Sequence, residues 1–291
     1  MLSIIICSRS SRAVAVAREN VAATVSVPYE LIAIDNSQNK YSICEAYNVG
    51  AQQAQYNLLC FMHEDIRFHT NGWGRVVANI LADPTVGVLG VAGGQYQLKA
   101  PSSWWFAGEK YRRMQVLHTV AGKEPVLDLV NPAKQSLVDV AVLDGVWLCS
   151  RKEVWAAHPF DAQTFSDFHF YDVDYCTALF GRYRVCVTFD ILVEHFSLGS
   201  INKTWVTNSL KYYTKWQDKL PFGVVTIAEK EEKKLKIDAI YHLIDLLLWN
   251  KLPLQTILHW LGEAISLKQL DRRILGVAKQ VLQHRLLKNI P

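Results

Sequence analysis

In the first 65 residues an apolar run, a polar turn and a helical stretch follow one another repeatedly. Residues 2–7 form a β-branched run, which is typical of a strand buried on both faces of a parallel sheet, and residues 29–34 repeat the pattern as a second strand. Helical periodicity follows each run, at residues 13–23 and 43–54, and a third apolar run covers residues 56–62. This alternation predicts a doubly wound α/β fold with a mixed, mostly parallel sheet and flanking helices.

Polar residues follow each of these predicted strands. Ser8 and Arg9 follow the first, Asp35 follows the second, and Glu64 and Asp65 follow the third. Ligands of doubly wound sheets bind at the carboxyl ends of the strands, so these side chains are candidates for a ligand site. Asp35 could accept hydrogen bonds from a nucleotide base or ribose, or could form an Asx turn. The acidic pair could hold a divalent cation through its carboxylate oxygens, or could be a solvated turn.

The middle of the chain is less regular. Residues 86–91 form another predicted strand, and residues 93–136 mix glycine, proline and aromatic residues as long loops over a site would. Two more β-rich segments follow at residues 138–149 and 183–189.

A helical extension is predicted from about residue 224 onward. Apolar residues recur there at helical spacing in two groups: Ile237, Ile240, Tyr241, Ile244, Leu247 and Leu248, then Ile274, Val277, Val281 and Leu282. Pro253 interrupts the pattern between them. We therefore divide the chain into an α/β domain at residues 1–222 and a C-terminal helical region at residues 223–291.

Charge is distributed unevenly. Residues 201–291 carry 15 Lys and Arg against 8 Asp and Glu, whereas residues 1–200 carry 16 against 19. The basic tail favours contact with an anionic membrane surface or with a protein, and plain packing against the α/β domain is the alternative. Clustered basic stripes with interleaved aromatic residues are missing, so we expect no nucleic-acid partner.

The sequence also bears on the compartment. No apolar run reaches the roughly 18 to 20 residues of a membrane-spanning helix, and residues 2–7 lack the basic leader of a signal peptide. Six cysteines are scattered without a CxxC pair, which favours buried, reduced thiols. We expect a cytoplasmic protein, with a peripheral contact at the inner face of the membrane as a further expectation.

Two later motifs could carry chemistry. Residues 168–174 place Asp172 and Asp174 among aromatic side chains, a setting that can desolvate a carboxylate and raise its proton affinity towards that of a general base. The alternative is one helix-capping and one surface aspartate. His195 follows another predicted strand and could be a neutral imidazole ligand of manganese, or a structural histidine.

Taken in order, these motifs resemble those of family-2 glycosyltransferases with the GT-A fold. The resemblance covers about residues 2–200 and rests on seven segments: residues 3–10, residues 35–37, Ala46-x-Asn48-x-Gly50, the triplet ending at Asp65, residues 144–151, Asp172-x-Asp174 and His195. It implies a Rossmann-like GT-A sheet and an inverting enzyme of bacterial type. Such an enzyme uses a nucleoside-diphosphate sugar with Mn²⁺ or Mg²⁺ and acts on a hydroxyl of a cell-surface polysaccharide or glycolipid.

The resemblance also implies a role for each matching residue. Asp172 would be the catalytic base, and Asp65 and His195 would be the metal ligands. The implied nucleotide contacts are Ser8, Arg9, Asp35, Asn48 and Glu64. The implied contacts to the donor sugar and the acceptor are Asp144, Gly145, Trp147 and Asp174.

The chain departs from the family pattern at two positions. His63 opens the triplet where the family has Asp, and Tyr171 precedes Asp172 where the family usually has an acid. The first departure weakens the metal assignment only a little, because the last acid of the triplet is the one that touches the ion. The second leaves open whether Asp172 or Asp174 is the base.

Two further features admit both a functional and a structural interpretation. Trp104 and Trp105 could stack on the apolar face of an acceptor sugar, or could anchor a lid in the core. Asn48 and Gly50 lie in a predicted helix although both lower helix propensity, which indicates a role beyond local stability or, for Gly50, close packing.

Two other functions are alternatives to that of a glycosyltransferase. A GT-A-like domain that binds nucleotide or glycan without catalysis would also explain the motifs, and the imperfect triplet favours it, whereas Asp65 together with Asp172 argues against it. A sugar-nucleotide pyrophosphorylase would need a glycine-rich, basic phosphate loop after the first strand, and this sequence has none there.

Overall fold

The computed structural model describes residues 1–197 and 199–267, together with Gly276 and Lys279. The strands are β1 (Leu2–Ser8), β2 (Tyr29–Asp35), β3 (Leu58–Met62), β4 (Ile66–Phe68), β5 (Val86–Gly90), β6 (Ala92–Gly94), β7 (Tyr96–Gln97), β8 (Arg112–His118), β9 (Val126–Val130), β10 (Leu137–Val140), β11 (Val142–Leu143), β12 (Trp147–Arg151), β13 (Arg184–Thr188), β14 (Val193–His195) and β15 (Phe222–Gly223). The helices are α1 (Ser11–Thr24), α2 (Ile43–Gln53), α3 (Trp73–Leu81), α4 (Lys152–Ala157), α5 (Tyr171–Leu179), α6 (Lys203–Trp216), α7 (Glu229–Trp249) and α8 (Leu254–Leu267). Two short 3₁₀ turns lie at Trp104–Ala107 and Glu109–Tyr111.

Seven strands form the central sheet, in the order β10-β13-β5-β12-β3-β1-β2. β1 pairs in parallel with both β2 and β3, and β13 pairs in parallel with β5. β12 runs antiparallel between β3 and β5, and β10 runs antiparallel to β13. β1 lies between two parallel neighbours with Ile4, Ile5 and Ile6 fully buried, which explains its β-branched composition. The mixed, mostly parallel sheet expected from the sequence is confirmed.

The first two helices begin and pack as their sequences predict. The Ser10 side chain accepts a hydrogen bond from the backbone of Ala13 at the start of α1. Ser42 and Glu45 form a reciprocal capping box at the start of α2. Gly50 of α2 lies against β1 so closely that a Cβ there would be 2.4 Å from Ile5 Cγ2. Close packing of α2 on the sheet therefore accounts for this glycine.

A second sheet covers the end of the central sheet where the candidate residues lie. Its strand order is β11-β6-β8-β14-β4, with β9 paired to β8. The prediction of long loops over residues 93–136 was therefore wrong, because this segment contains β7, β8, β9 and part of β6. β6 and β7 are only three and two residues long, and β6 and β8 pair with strands far along the chain, β11 and β14. Local periodicity does not reveal such pairing.

The C-terminal helices pack onto the α/β domain. The apolar face predicted at residues 237–247 forms the buried side of α7 and joins the main hydrophobic core. Pro253 separates α7 from α8, as expected. The second predicted face, at Ile274, Val277, Val281 and Leu282, lies outside the described residues. The domain boundary near residue 222 stays a prediction.

Two further expectations concern the cysteines and the membrane. All six cysteines are free, and all except the half-buried Cys7 are buried. Among the described residues, each helix is too short or too polar to cross a bilayer.

Candidate active site

Two adjoining cavities open where the central sheet meets the second sheet. The first has a volume of about 570 Å³ and is lined by residues from β6, β8, α5 and the segments that follow β3 and β14. The second has a volume of about 650 Å³ and lies over the ends of β1 and β2. Both cavities share Phe168, His169 and Ser200 in their walls. Together they could hold a ligand that extends from one to the other.

Three side chains converge beside the first cavity. His63 follows β3, Asp65 precedes β4, and His195 ends β14. His195 Nε2 is 3.4 Å from Asp65 Oδ1, and His63 Nδ1 is 4.0 Å from the same oxygen. One ligand atom from each residue lies within 4.8 Å of the others. β4 and β14 are antiparallel neighbours with His195 opposite Ile66, which places the two ends of the cluster side by side.

The protonation states of the side chains in this cluster favour the binding of a cation. Burial alone would raise the pKa of Asp65, but hydrogen bonds from His195 and Ser197 and the nearby imidazoles hold that pKa below its usual value. Burial, followed by the neighbouring His195, lowers the pKa of His63 to about 4. Asp65 is therefore ionised and His63 neutral near pH 7. Two imidazoles and one carboxylate fit a borderline divalent cation such as Mn²⁺.

Asp172 faces the first cavity from the first turn of α5. Its carboxylate accepts hydrogen bonds from the backbone N–H groups of Gly145, at 2.7 Å, and Val173, at 2.8 Å. Burial raises the pKa of Asp172 to about 7, and the charge of Asp144 adds to the effect. A Cβ at Gly145 would lie 2.2 Å from the Tyr171 hydroxyl, so only glycine allows this approach. Asp172 has the proton affinity expected of a general base near neutral pH.

Asp174 points to the other side of α5. Its carboxylate accepts hydrogen bonds from Lys215 Nζ at 2.9 Å and from Trp216 Nε1 at 2.7 Å, both on α6. It is 3% exposed and lines neither cavity. The structure therefore does not place Asp174 at the sugar contacts expected for it, because its carboxylate is bound to side chains of α6 instead.

Two other expected site residues are packed elsewhere. Trp147 is fully buried in the core, where its Nε1 lies 3.0 Å from Cys60 Sγ. Asn48 donates to the carbonyl of Phe160 at 2.7 Å and accepts from Trp155 Nε1 at 3.0 Å, which ties α2 to the segment after α4. Neither side chain lines the two cavities.

The second cavity receives several of the expected nucleotide contacts. Arg9 and Glu64 line it. Ser8 is 4% exposed, and its hydroxyl is hydrogen-bonded to the Glu64 carboxylate. Asp35 is exposed at the end of β2, and its carboxylate accepts a hydrogen bond from the Ser37 backbone at 2.9 Å. This is the hydrogen bond of an Asx turn, the structural alternative given above for Asp35.

An aromatic wall closes one side of the first cavity. Trp104 is 7% exposed and donates from Nε1 to Asp144 Oδ2 at 2.9 Å. Trp105 also lines the cavity and packs against Phe106 and Trp205. The two indoles are anchored by their neighbours and also line the cavity, and their stacking on an acceptor sugar stays a prediction.

Sequence reasoning overlooked several residues that line the cavities. They include Asn36, Tyr41, His118, Asp167, His169 and Trp205. The two positions that depart from the family pattern are in contact with each other: His63 Nε2 lies 3.0 Å from the hydroxyl of Tyr171, 108 residues further along the chain.

Comparison with solved structures identifies the fold. GalNAc-T7, solved with UDP, GalNAc and Mn²⁺, aligns at a TM-score of 0.50 and 12% identity over 82% of this chain and 54% of its own. S. aureus TarS 1-349 aligns at 0.50 and 12% in complex with UDP-GlcNAc, covering 99% of this chain and 90% of its own. The UDP complex of the same TarS fragment aligns at 0.52 and 11%, covering 97% and 88%. The chain thus spans about half of GalNAc-T7 and most of the TarS fragment, and the GT-A fold is confirmed.

Sequence comparison identifies the family. No curated protein matches the sequence. The profile of the family described as "Glycosyltransferase like family" matches residues 3–220, which is most of the chain. The chain belongs to this glycosyltransferase-like family.

Proposed function

We propose that this protein is an inverting, metal-dependent glycosyltransferase that moves a sugar from a nucleoside-diphosphate sugar to a hydroxyl of a glycan or glycolipid. One observation carries the proposal: a carboxylate with a pKa raised to about 7, Asp172, faces the same cavity as the His63 and His195 imidazoles of the cation cluster. A general base and a cation site on one cavity are what direct displacement of a diphosphate requires.

Each cavity would take one part of the donor. The second cavity, with Arg9 and Glu64, would hold the nucleotide, and the first would hold the sugar. A divalent cation held by Asp65, His195 and His63 would neutralise charge on the leaving diphosphate. Solved relatives in complex with UDP, UDP-GlcNAc and Mn²⁺ support this class of donor and cofactor.

The acceptor would bind against the aromatic wall. Trp104 and Trp105 offer apolar surface for a pyranose ring, and Asp144 offers a carboxylate for its hydroxyls. Asp172 takes the proton of the attacking hydroxyl while that oxygen bonds to the anomeric carbon. The bond from the anomeric carbon to the diphosphate oxygen breaks in the same step, and the diphosphate leaves with the electron pair. A single displacement inverts the anomeric centre.

The C-terminal helices are proposed to add a peripheral contact. Trp249, at the end of α7, is 84% exposed, and Leu258 and Ile265 on α8 are also exposed. Together with the basic excess of the tail, these side chains support docking on the inner face of a membrane or on a protein during polysaccharide synthesis. The enzyme would work from the cytoplasmic side.

A thermal-shift screen tests the proposal. Nucleoside diphosphates and their sugars should raise the melting temperature with Mn²⁺ and much less with a chelator, because a ligand that binds only the folded state stabilises it. Asp65→Ala should lose the metal-dependent part, whereas Asp190→Ala, an exposed aspartate outside the cavities, should keep it. Equal shifts with metal, with chelator and in Asp65→Ala would remove the cation from the mechanism.

The alternative is a catalytically inert nucleotide- or glycan-binding module. Such a module would bind the donor but transfer no sugar. The enzyme is favoured because Asp172 combines a raised pKa with a place on the wall of the cavity, a combination common in catalytic acids and bases.

A further inference from the structure

Two hydrogen bonds meet at the hydroxyl of Tyr171. This side chain is 3% exposed, and its O–H donates to the carbonyl of Gly145 at 2.8 Å. The same oxygen lies 3.0 Å from Nε2 of His63. A phenol has one proton, and we assign it to the Gly145 carbonyl, which can only accept and lies at the shorter of the two distances, 2.8 Å against 3.0 Å. With this assignment the phenol oxygen accepts from His63, and the hydrogen of the imidazole is on Nε2.

This arrangement determines which nitrogen of His63 is left with a lone pair. A neutral imidazole protonated at Nε2 carries its lone pair on Nδ1. Nδ1 is the nitrogen that faces Asp65, 4.0 Å from Oδ1. The ring is also held by packing, since its centroid is 5.3 Å from the ring of Phe168 and 5.8 Å from that of His195. The lone pair therefore points to the place where Asp65 and His195 converge.

We propose that Tyr171 is a positioning residue that holds His63 as the Nε2–H tautomer and so makes Nδ1 the third protein ligand of the cation site. The inference rests on the proposed function, whose cation site it refines. Two imidazoles and one carboxylate favour Mn²⁺ or Co²⁺ over Mg²⁺, which prefers a shell of oxygen ligands. Hydrogen bonds of this kind orient a ligating histidine and commonly change metal affinity by about 10- to 100-fold.

Metal titration of the full-length protein tests the role of the hydroxyl. Calorimetry with Mn²⁺ alone, and the visible absorption of added Co²⁺, would be compared in the wild type, Tyr171→Phe and Tyr175→Phe. Tyr175 is the matched control: it is a buried tyrosine of the same helix whose hydroxyl bonds to Ser150 Oγ at 3.1 Å, away from the cluster. We expect Tyr171→Phe to bind both ions about 10- to 100-fold more weakly and Tyr175→Phe to bind them as the wild type does. Wild-type affinity in Tyr171→Phe would overturn the inference.

The tautomer itself can be observed in the metal-free protein. Long-range ¹H–¹⁵N spectra distinguish Nε2–H from Nδ1–H imidazoles, and the His63→Gln spectrum assigns the signal. We expect the Nε2–H form in the wild type, and a mixture in Tyr171→Phe. An Nδ1–H imidazole in the wild type would overturn the inference even if Tyr171→Phe failed to fold.

Ion selectivity and a transfer assay complete the test. The wild type should bind Mn²⁺ more tightly than Mg²⁺, and His63→Asp should reduce this difference in affinity. Equal affinity for both ions in the wild type would contradict the ligand set.

A sugar-transfer assay separates this inference from the proposed function. Sugar transfer with unchanged metal binding in Tyr171→Phe would refute only the role of Tyr171. Weakened metal binding in Tyr171→Phe, with no transfer by the wild type, would refute only the function.

Discussion

The two sides of α5 carry aspartates of the same chemistry in opposite settings. Asp172 faces the cavity, and the hydrogen bonds to its carboxylate come from backbone N–H groups. Asp174 faces α6, where Lys215 and Trp216 hold it. Residues two apart on a helix differ by about 200° in direction, so the two carboxylates cannot share one environment. One side of α5 therefore faces the first cavity, and the other side is bound to α6.

The two aspartates differ because only one of them is paired with a positively charged side chain. Burial raises the pKa of both aspartates, but at Asp174 the charge of Lys215 opposes it. Asp172 has the added charge of Asp144 instead, which raises its pKa further, to about 7. Lys215 therefore offsets only part of the effect of burial, and the pKa of Asp174 is still raised, whereas at Asp172 the neighbouring carboxylate adds to the effect of burial.

The largest expected effect is on turnover. Asp172→Asn keeps the size of the side chain and removes the proton acceptor, so sugar transfer should fall by about 100-fold or more while nucleotide affinity stays near normal. Initial rates and calorimetry on the same preparation would measure both. Asp174→Asn is the control. If that variant lost sugar transfer while Asp172→Asn retained it, Asp174 would be the base and Asp172 the structural residue.

The second effect is on stability. Asp174→Asn leaves Lys215 with Asp161 as its remaining acidic partner, and we expect the free energy of unfolding to fall by about 1 to 3 kcal/mol. Urea denaturation would measure the loss, and transfer per folded molecule should be nearly unchanged. Asp172→Asn should not show a loss of that size. A double-mutant cycle with Lys215→Ala would isolate the pair; additive losses would mean that the contact contributes nothing.

The third effect is on pH dependence. Asp172 must be ionised to accept a proton, so kcat/KM should rise with pH and level off above about 7. Below that value the rate should fall roughly tenfold per pH unit as the ionised fraction falls. Rates between pH 5 and pH 8, with metal saturation checked at each pH, would give the profile. A flat profile over this range would assign the proton transfer to another group.

The smallest effect concerns the neighbour of Asp172. Asp144→Asn removes one of the two influences that raise the pKa of Asp172, while its amide oxygen can still accept from Trp104 Nε1. The rise in kcat/KM should shift to lower pH by less than about one unit, because burial remains the larger cause. The same pH series in the variant would measure the shift. A shift to higher pH would mean that Asp144 does not act on Asp172 through its charge.

Local patterns in the sequence determined the order of the elements and much of the candidate ligand site at the carboxyl ends of the strands. Apolar runs and helical periodicity predicted β1, β2, β3, α1 and α2 to within about two residues. The resemblance to family-2 glycosyltransferases implied that Asp65 and His195 lie together, and the antiparallel pairing of β4 with β14 brings His195 Nε2 to 3.4 Å from Asp65 Oδ1. The predictions of strands and helices rest on residues that are near one another in the chain.

Only the tertiary structure decided which side chains face the cavities. The sequence favoured Asp172 as the base and left Asp174 open, and the two differ in the structure because α6 packs against one side of α5 and binds Asp174. The strands within residues 93–136 are paired with segments far along the chain. The contact of His63 with Tyr171 spans 108 residues. Such contacts depend on how distant elements pack, and hydrophobic periodicity reports only whether a residue is buried, not what it is buried against.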